Sequence, residues 1–344
     1  MKRAVVLFNL GGPDAPEAVR PFLFNLFNDA AIIDLPGWLR WLLARLISGR
    51  RAKTARAIYD HIGGKSPLLE RTQAQAGALQ NALAVDAGET RVFIAMRYWH
   101  PMTEAAVQAV QEFGADEILL LPLYPQFSTT TTQSSLDKWH RCAQAAGLTA
   151  PSYGVCCYPA APGLIAAQAR LLGAALAEQS DDQPMRVLFS AHGLPEKIVA
   201  KGDPYPAQIA ITAAAIAGKA GLAEDDWMIC YQSRVGRLKW IGPSLDDALT
   251  EAARDGIGVT VLPIAFVSEH SETLVELDIE YREIAERLGI QTYIRVPAVG
   301  IEPEFIDGLA HMVRAGFTAR QRLAPIGLDR ICPSDQTACP YRPG

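Results

Sequence analysis

Three glutamates spaced four residues apart mark the stretch of this sequence in which chemistry is easiest to recognise. Glu272, Glu276 and Glu280 recur at i, i+4 and i+8, so on a helix they fall along one stripe. Such a run usually forms a solvated helix face, because stacked like charges repel each other by about 0.2–0.5 kcal/mol per pair. Here, however, the stripe follows directly on Glu269 and His270. Carboxylates with a nearby imidazole can hold or pass a hard or borderline divalent cation, so the segment is a candidate metal-handling site.

A single histidine provides the second candidate. His192 follows an apolar run, which we predict to be a buried strand, and leads into the turn Gly193–Pro195. An isolated histidine is often a structural hydrogen-bonding group, and that alternative stays open. Imidazole titrates near neutrality, so His192 is also suited to moving protons at pH 7. The sequence has no G-x-S-x-G elbow that would activate a serine, so a Ser-His-Asp hydrolase is not indicated.

The elements that must position these residues alternate between strands and helices. The predicted strands are continuous apolar runs, which is typical of strands covered on both faces in a parallel sheet. Strand–helix alternation favours a doubly wound α/β fold, and a length of 344 residues predicts about two domains. The predicted strands are 4–8, 91–96, 117–123, 185–190, 227–231, 258–264 and 291–295, and the predicted helices include 103–113, 163–178, 205–220 and 271–288.

Five polar loops follow the predicted strands at their carboxyl ends, where ligands bind in such folds. Two of the preceding segments resemble each other, because 118–128 and 259–268 each combine a buried strand, a proline and a polar loop. This resemblance indicates either an internal duplication or two similar buried strands. The five loops are 9–14, 97–100, 124–135, 191–195 and 268–272.

Nucleotides and nucleic acids are poor candidates for the ligand. The segment Asn9–Pro13 lacks the G-x-G-x-x-G spacing, and Gly63–Ser66 lacks the glycine that a phosphate loop needs five residues before Gly64. The net charge of −5 gives no electrostatic footprint for nucleic acid. We therefore expect a small-molecule enzyme.

Six blocks of the sequence resemble segments of the ferrochelatases, the lyases that insert ferrous iron into a porphyrin to make haem. The blocks occur in the order of that family and extend from residue 4 to about residue 300. The resemblance implies two Rossmann-like, chelatase-type α/β domains, each with a parallel sheet flanked by helices, and a cleft between them. The blocks are 9–14, 97–101, 123–128, 190–195 with 201–205, 231–236 with 240–243, and 263–281.

The resemblance also implies roles for the residues in the two candidate sites. His192 matches the histidine thought to accept pyrrole N–H protons or to help handle the metal. Glu272 matches a carboxylate facing it across the porphyrin cleft, so that the two groups act on opposite sides of the macrocycle. Glu276 and Glu280 would extend an acidic path for arriving iron or departing protons.

Other implied residues form the walls of the porphyrin site. Arg97 and Tyr98 match residues that line the pocket, and Trp240 matches an aromatic on its wall. His270 and Phe266 match neighbouring residues of the cleft. The implied reaction is insertion of Fe²⁺, as a substrate, into protoporphyrin IX. Three alternatives stay open: a coproporphyrin III ferrochelatase, a Co²⁺ or Ni²⁺ chelatase for another tetrapyrrole, and a non-catalytic porphyrin or haem carrier.

The expected domains are 1–150, 151–320 and a cysteine-containing tail, 321–344. Within the first, residues 21–51 combine apolar, aromatic and basic side chains, which suits a helix lying at a membrane interface or one packed on its own domain. The resemblance places this stretch at the lip of the porphyrin cleft. No segment reaches the length of a membrane span, so we expect a cytoplasmic protein that makes at most peripheral membrane contact.

Six cysteines in a cytoplasmic chain do not predict a disulfide framework. Some ferrochelatases carry a [2Fe–2S] cluster on one internal cysteine and three near the C-terminus, and this tail resembles that arrangement with only two. The implied ligands are Cys156, Cys157, Cys332 and Cys339. Ordinary reduced thiols are the alternative.

Overall fold

The fold was analysed on a computed structural model, which describes residues 1–86, 88–178, 184–234, 236, 238–325 and 329–341. The chain divides into two compact units. Unit 1 comprises Met1–Cys157, Leu309–Asp329 and Pro340–Gly344, and unit 2 comprises Tyr158–Gly308 and Arg330–Cys339.

Unit 1 is built on a parallel sheet of four strands. The strands are β1 (Lys2–Asn9), β2 (Glu89–Met96), β3 (Glu117–Pro122) and β4 (Ser152–Gly154), in the order β2-β1-β3-β4. The inner strands are buried along nearly their whole length, which explains their continuous apolar sequence. The helices of this part of the chain are α1 (Val19–Phe27), α2 (Gly37–Asp60), α3 (Leu68–Leu83), α4 (Thr103–Phe113) and α5 (Ser134–Ala145).

Unit 2 repeats this arrangement with its own parallel sheet. Its strands are β5 (Met185–His192), β6 (Trp227–Gln232), β7 (Gly258–Pro263) and β8 (Tyr293–Arg295), in the order β6-β5-β7-β8. The helices are α6 (Pro162–Ala177), α7 (Glu196–Val199), α8 (Tyr205–Ala220), α9 (Leu245–Asp255) and α10 (Tyr281–Arg287). A last helix, α11 (Pro303–Ala319), contains the point at which the chain returns from unit 2 to unit 1.

Two strands that resemble each other in sequence occupy equivalent places in the two sheets. β3 and β7 each lie on the same side of the first strand of their unit, and each ends at a proline, Pro122 or Pro263. Each is also followed by a π-helical turn, Thr129–Gln133 in unit 1 and Glu272–Glu280 in unit 2. The predicted α/β fold with two parallel sheets is therefore confirmed, and the two sheets share one strand order.

The division into units differs from the predicted domain limits near the C-terminus. Residues 309–329 pack with the β1 sheet, although the prediction gave 151–320 to the second domain. The close packing of α11 on β3 shows the reason. A Cβ atom added to Gly316 of α11 would lie only 2.6 Å from Leu119 Cδ1 of β3. The tail is also not a separate region, because Arg330–Cys339 packs with unit 2.

None of the helices in the described part of the chain is both long enough and apolar enough to cross a bilayer. The longest helix, α2, carries six basic side chains and one acidic side chain.

Candidate active site

His192 lies at the last position of β5, in unit 2, where the strand opens into a loop. Its Nδ1 is 2.6 Å from the carbonyl oxygen of Gly193. Because a carbonyl oxygen can only accept, Nδ1 must carry the proton in this contact. The neutral ring therefore keeps its free lone pair on Nε2, which leaves a base directed away from the backbone.

The free nitrogen of His192 faces Glu272. The distance from Nε2 to Glu272 Oε1 is 3.8 Å, and both side chains are partly exposed. A planar ring in van der Waals contact with a group on each face needs roughly 7 Å between those groups. No macrocycle therefore fits between the two side chains as they stand. The expectation that they act on opposite sides of a macrocycle is wrong for this geometry, because both belong to unit 2 and nearly touch.

Glu276 is the most perturbed acid of this region. Its carboxylate accepts hydrogen bonds from the Ser233 amide at 2.8 Å, the Ser233 hydroxyl at 2.5 Å and Gln232 Nε2 at 3.3 Å. Burial, together with the charge of Glu272, nevertheless raises the pKa of Glu276 to about 7. An acid that exchanges its proton near neutrality thus lies one helical turn from Glu272.

Ser233 presents two donors to Glu276 because its backbone has an unusual conformation. It follows the last residue of β6 with a φ of +60°, in a region that residues other than glycine seldom enter. The neighbouring Gln232 is fully buried and accepts a hydrogen bond from Ser190 Oγ at 2.7 Å. Its amide nitrogen also reaches the carbonyl oxygen of Glu272 at 3.3 Å. The end of β6 therefore connects β5 with the acidic turn.

His270 and Phe266 lie together just before the acidic turn. Their ring centroids are 4.4 Å apart in an edge-to-face arrangement. Burial lowers the pKa of His270, although the charges of Glu272 and Glu269 act in the opposite direction. The Nδ1 atom of His270 accepts from the Thr273 amide at 3.3 Å. His270 is therefore a neutral imidazole at pH 7 whose Nε2 carries the proton.

Arg295, at the end of β8, forms ion pairs with both Glu269 and Asp278, which lie before and within the acidic turn. Its guanidinium forms a fork with Asp278, at 2.9 and 2.6 Å, and reaches Glu269 at 2.6 Å. Glu269 also accepts from the Ala298 amide at 3.0 Å. Burial would raise the pKa of Glu269, but the charge of Arg295 and its hydrogen bonds hold it below the ordinary value. One buried cation thus fixes the two residues between which His270, Glu272 and Glu276 lie.

Trp240 packs against the loop that carries His192. A side chain on Gly193 would meet Trp240 Cε3 at 3.2 Å and the carbonyl oxygen of Gln232 at 2.9 Å, so only glycine permits this approach. Trp240 also forms a bridge with Pro195. Its buried Nε1 has no hydrogen-bond partner among the residues that the structure describes. An indole donor is therefore available beside the His192 loop.

Arg97 and Tyr98 lie in unit 1 and share a single acceptor. Asp29 Oδ2 accepts from Arg97 Nη2 at 2.7 Å, from the Tyr98 hydroxyl at 2.8 Å and from Ser134 Oγ at 2.5 Å. Its other oxygen accepts from the Ala31 amide at 3.0 Å. Burial would raise the pKa of Asp29, but these hydrogen bonds and the Arg97 charge hold it below the ordinary value. The result is a closed, neutralised network.

A cavity of about 920 Å³ opens beside this network in unit 1. Besides Asp29 and Arg97, its wall includes Arg40, Lys138 and Arg141. A flat hydrophobic macrocycle needs mostly apolar walls. This cavity has a wall of mixed charged and apolar side chains, so its lining alone does not identify a porphyrin site.

The remaining predicted ligands are Glu280 and four cysteines. Glu280 is exposed at the end of the acidic turn. In unit 1, Cys156 and Cys157 are buried with their sulfur atoms 3.5 Å apart, whereas Cys332 and Cys339 are buried in unit 2. Considering each unit by itself, the described His, Cys, Asp and Glu side chains form no group of three that could hold a metal ion.

Three functional positions escaped the sequence analysis: Asp29, Ser233 and Arg295. Ser233 stands within one of the six recognised blocks, directly after a predicted strand, so its position was a usable signal. Asp29 and Arg295 have no such signal, because their partners lie 68 and 26 residues away in the sequence.

Comparison with known proteins identifies the family of this chain. The sequence profile of the ferrochelatase family matches residues 2–316. A ferrochelatase of Phenylobacterium zucineum is 54% identical over 100% of this chain and 99% of its own length. That of Caulobacter vibrioides strain NA1000 is 52% identical over 100% of this chain and 98% of its own. The chain belongs to the ferrochelatase family. It is thus a metal chelatase, a lyase of haem biosynthesis, and Fe²⁺ and a porphyrin are the substrates that membership implies.

Solved structures support the fold of this ferrochelatase family member. SirB from Bacillus subtilis with Fe³⁺ matches with a TM-score of 0.53, covering 92% of this chain and 96% of SirB at 14% identity. The sirohydrochlorin chelatase SirB from Bacillus subtilis subspecies spizizenii, in complex with cobalt, gives a TM-score of 0.52 at 12% identity, covering 92% and 95%. At such identities the likeness concerns the fold alone.

Proposed function

We propose that the protein inserts Fe²⁺ into protoporphyrin IX to form protohaem, using the His192–Glu272–Glu276 group as its proton-handling and metal-handling site. The observation that carries this proposal is the pairing of a free imidazole lone pair with a carboxylate at 3.8 Å, next to an acid whose pKa is raised to about 7. Family membership supplies the reaction, and the geometry supports the choice of residues.

The reaction releases two protons, so the site needs acceptors. Fe²⁺ enters the macrocycle as two pyrrole N–H groups lose their protons, and the product carries two fewer protons than the porphyrin. His192 Nε2 accepts a proton from a pyrrole nitrogen, because its lone pair is free and its other nitrogen is already protonated. Glu272 stabilises the imidazolium that forms, and Glu276 passes protons onward because its pKa is near neutrality.

The acidic turn would also deliver the metal. Carboxylate oxygens suit Fe²⁺, and Glu280 is exposed at the far end of the turn, where a hydrated ion can arrive. Glu276 and Glu272 then present the partly dehydrated ion to the ring. His192 and Glu272 would approach the porphyrin from one side, since their separation admits no ring between them.

We assign the porphyrin walls to residues that surround these groups. Phe266 and His270 form an edge-to-face pair next to the acidic turn, and Trp240 adds an aromatic surface with a free indole donor. Arg97 of unit 1 is also assigned to porphyrin binding, and the fully buried Tyr98 supports it by sharing its acceptor, Asp29. Binding energy gathered on such walls can bend the ring and expose its nitrogen lone pairs.

A [2Fe–2S] cluster held by Cys156, Cys157, Cys332 and Cys339 remains a further proposal. Its support is chemical: all four thiols are buried, and four thiolates are the number that such a cluster needs. Each unit contributes only two of them, and two of the four are adjacent in sequence. Visible absorbance together with iron and acid-labile sulfide in the purified protein tests it, and an absence of both sulfide and absorbance after anaerobic purification would contradict it.

We also propose a cytoplasmic enzyme that touches the membrane peripherally through residues 21–51. Five large apolar side chains of α2 are exposed, with Trp38 at 70%, which is unusual for a surface that faces only water. Their basic neighbours suit an anionic lipid surface.

The decisive experiment is an anaerobic assay of Fe²⁺ insertion with protoporphyrin IX and coproporphyrin III side by side. We expect turnover with protoporphyrin, and a loss of about 10²–10⁴-fold in kcat in His192→Ala, the range typical of a removed general base. The matched control is Glu283→Gln, an exposed carboxylate of α10 outside the site, which should retain wild-type rates. Near-normal turnover of folded His192→Ala would overturn the residue assignment, and a strong preference for coproporphyrin would overturn the substrate.

A further inference from the structure

A group of basic side chains in unit 1 lies between α1 and α2. A concave site of about 430 Å³ is lined there by three arginines and by three small or apolar residues. The site consists of Arg20, Arg45, Arg50, Leu42, Leu46 and Gly49. It contains no carboxylate.

The three arginines of this arginine pocket are not used by the fold. Among the ion pairs of the described residues, Arg20, Arg45 and Arg50 have no acidic partner, whereas Arg97 and Arg314 of the same unit are paired. Arg45 is held in place by the Trp41 ring, at 5.6 Å from its centroid. The three exposed guanidinium groups line one open site without a carboxylate, so an anionic ligand there would balance their charge.

The charge of α2 is opposite to that of the whole chain. The helix carries six basic residues and only Asp60 as an acid, while the net charge of the protein is −5. Such segregation within one helix provides attraction for an anionic surface. The pocket therefore lies on a basic helix.

The rim of the pocket is apolar and exposed. Leu42 and Leu46, which line it, are 50% and 48% exposed, and Trp38 and Trp41 extend the same exposed surface. A ligand that satisfies this arrangement has an anionic group for the arginines and hydrocarbon for the rim. Guanidinium groups bind phosphate in bidentate fashion, so a phosphate at an acyl-chain boundary matches both features.

We propose that the arginine pocket binds the phosphate of an anionic glycerophospholipid, while Trp38, Leu42 and Leu46 enter the adjoining acyl region. This inference rests on the membrane contact proposed above and makes it specific. The lipid headgroup, rather than diffuse surface charge, then determines how α2 docks on a bilayer.

The test compares the full-length protein on vesicles of phosphatidylcholine alone and of phosphatidylcholine with phosphatidylglycerol. We expect binding only to the second, and a loss of about tenfold or more in affinity in Arg45→Gln and Arg20→Gln. The matched control is Lys53→Gln, an exposed cation of α2 outside the pocket, for which diffuse attraction predicts at most about a fivefold loss. Equal losses in all three variants would show diffuse attraction and overturn the pocket.

A second variant tests the cavity without changing any charge. At Gly49 a Cβ would have only Arg20 Nη2 nearby, at 3.8 Å, so Gly49→Leu is tolerated by the helix and fills the pocket. We expect it to lose phosphatidylglycerol binding about as strongly as Arg45→Gln does, and undiminished binding would overturn the proposal. A wild-type protein that inserts iron but binds no vesicle would refute the lipid site alone, whereas loss of iron insertion in the wild type would refute the enzyme.

Discussion

The two units have the same strand order and place a π-helical turn after the equivalent strand, yet these turns differ completely in charge. After β3 the turn Thr129–Gln133 carries hydroxyls and an amide, and after β7 the turn Glu272–Glu280 carries four acids. Nearby in unit 1, the single acid Asp29 is saturated with donors, whereas in unit 2 Glu272 and His192 remain partly exposed. One scaffold thus supports a fixed polar network and a proton-exchanging acidic site.

The comparison of Asp29 with Glu276 shows how burial and neighbouring charges decide whether an acid stays ionised or exchanges its proton near pH 7. Asp29 has a cation and several donors, so its pKa lies below the ordinary value despite burial. Glu276 has neutral donors and a like charge beside it, so burial prevails and its pKa is raised to about 7. Substitutions in unit 1 should therefore act mainly on stability, and those in unit 2 on proton exchange and turnover.

The largest effect on stability is expected from Asp29→Ala. The change leaves Arg97, which is 12% exposed, without its counter-ion, and removing one partner of a buried pair costs about 3–5 kcal/mol of unfolding free energy. The pKa of Asp29 is lowered in the folded state, so its stabilisation is present above its unfolded pKa and is lost as the pH falls through the folded pKa. Urea unfolding at pH 7 and at pH 3 measures both values. If Asp29→Ala lowers the free energy of unfolding by less than 1 kcal/mol at pH 7, the Asp29 network does not stabilise unit 1.

Asp29 also illustrates what the sequence could and could not predict. Seven strands and four helices were predicted near their observed positions, because buried parallel strands are continuous apolar runs. The strand β4 was missed, because Ser152–Gly154 contains no run of apolar residues that would indicate a buried strand. His192, Glu272 and Glu276 were found through their blocks and spacing. The ion pairs of the two units were not predicted, because Arg295 reaches Glu269 and Asp278, and Asp29 reaches Arg97, only through the tertiary fold.

The next largest effect on stability is expected from Arg295→Gln in unit 2. This change removes the ion pairs of Arg295 with Glu269 and Asp278, which we call the clamp on the acidic turn. Asp278 and Glu269 lose their common cation, and we expect a loss of about 3 kcal/mol, near the lower limit for a buried pair because Asp278 is 27% exposed. Turnover should fall as well, since His270, Glu272 and Glu276 lie between the clamped residues. Arg287→Gln removes only an exposed pair with Glu283 and serves as the control, with an expected loss of 0–1 kcal/mol. If Arg295→Gln loses stability yet turns over normally at a temperature at which it is folded, the clamp does not position the site.

The contribution of Glu276 to the free energy of unfolding is expected to depend on pH with a sign opposite to that of Asp29. Its folded pKa of about 7 lies above the ordinary value of 4.5, so the folded state binds more protons between these values. Its contribution to stability therefore falls as the pH rises from about 4.5 to about 7. In Glu276→Gln this fall should be absent, and the stability of the variant relative to wild type should increase with pH. Thermal unfolding from pH 5 to pH 8 measures it. Parallel curves for the two proteins would mean that Glu276 titrates like an ordinary surface acid.

The smallest effect is expected from Trp240→Phe, which keeps the aromatic wall but removes the indole N–H. That group has no hydrogen-bond partner among the described residues, so the substitution leaves no acceptor of this set unsatisfied, and stability should change little. If the N–H donates to the porphyrin, its loss raises KM by about two- to tenfold, the equivalent of one hydrogen bond, and leaves kcat unchanged. Trp227→Phe is the matched control, because Trp227 packs on Phe189 away from the His192 loop. An unchanged KM in Trp240→Phe would reduce Trp240 to a packing residue. A lowered kcat would instead show that Trp240 takes part in the reaction together with His192 and Glu272. The difference between a unit 1 that is fixed by hydrogen bonds and a unit 2 that carries the reaction would then include this aromatic residue.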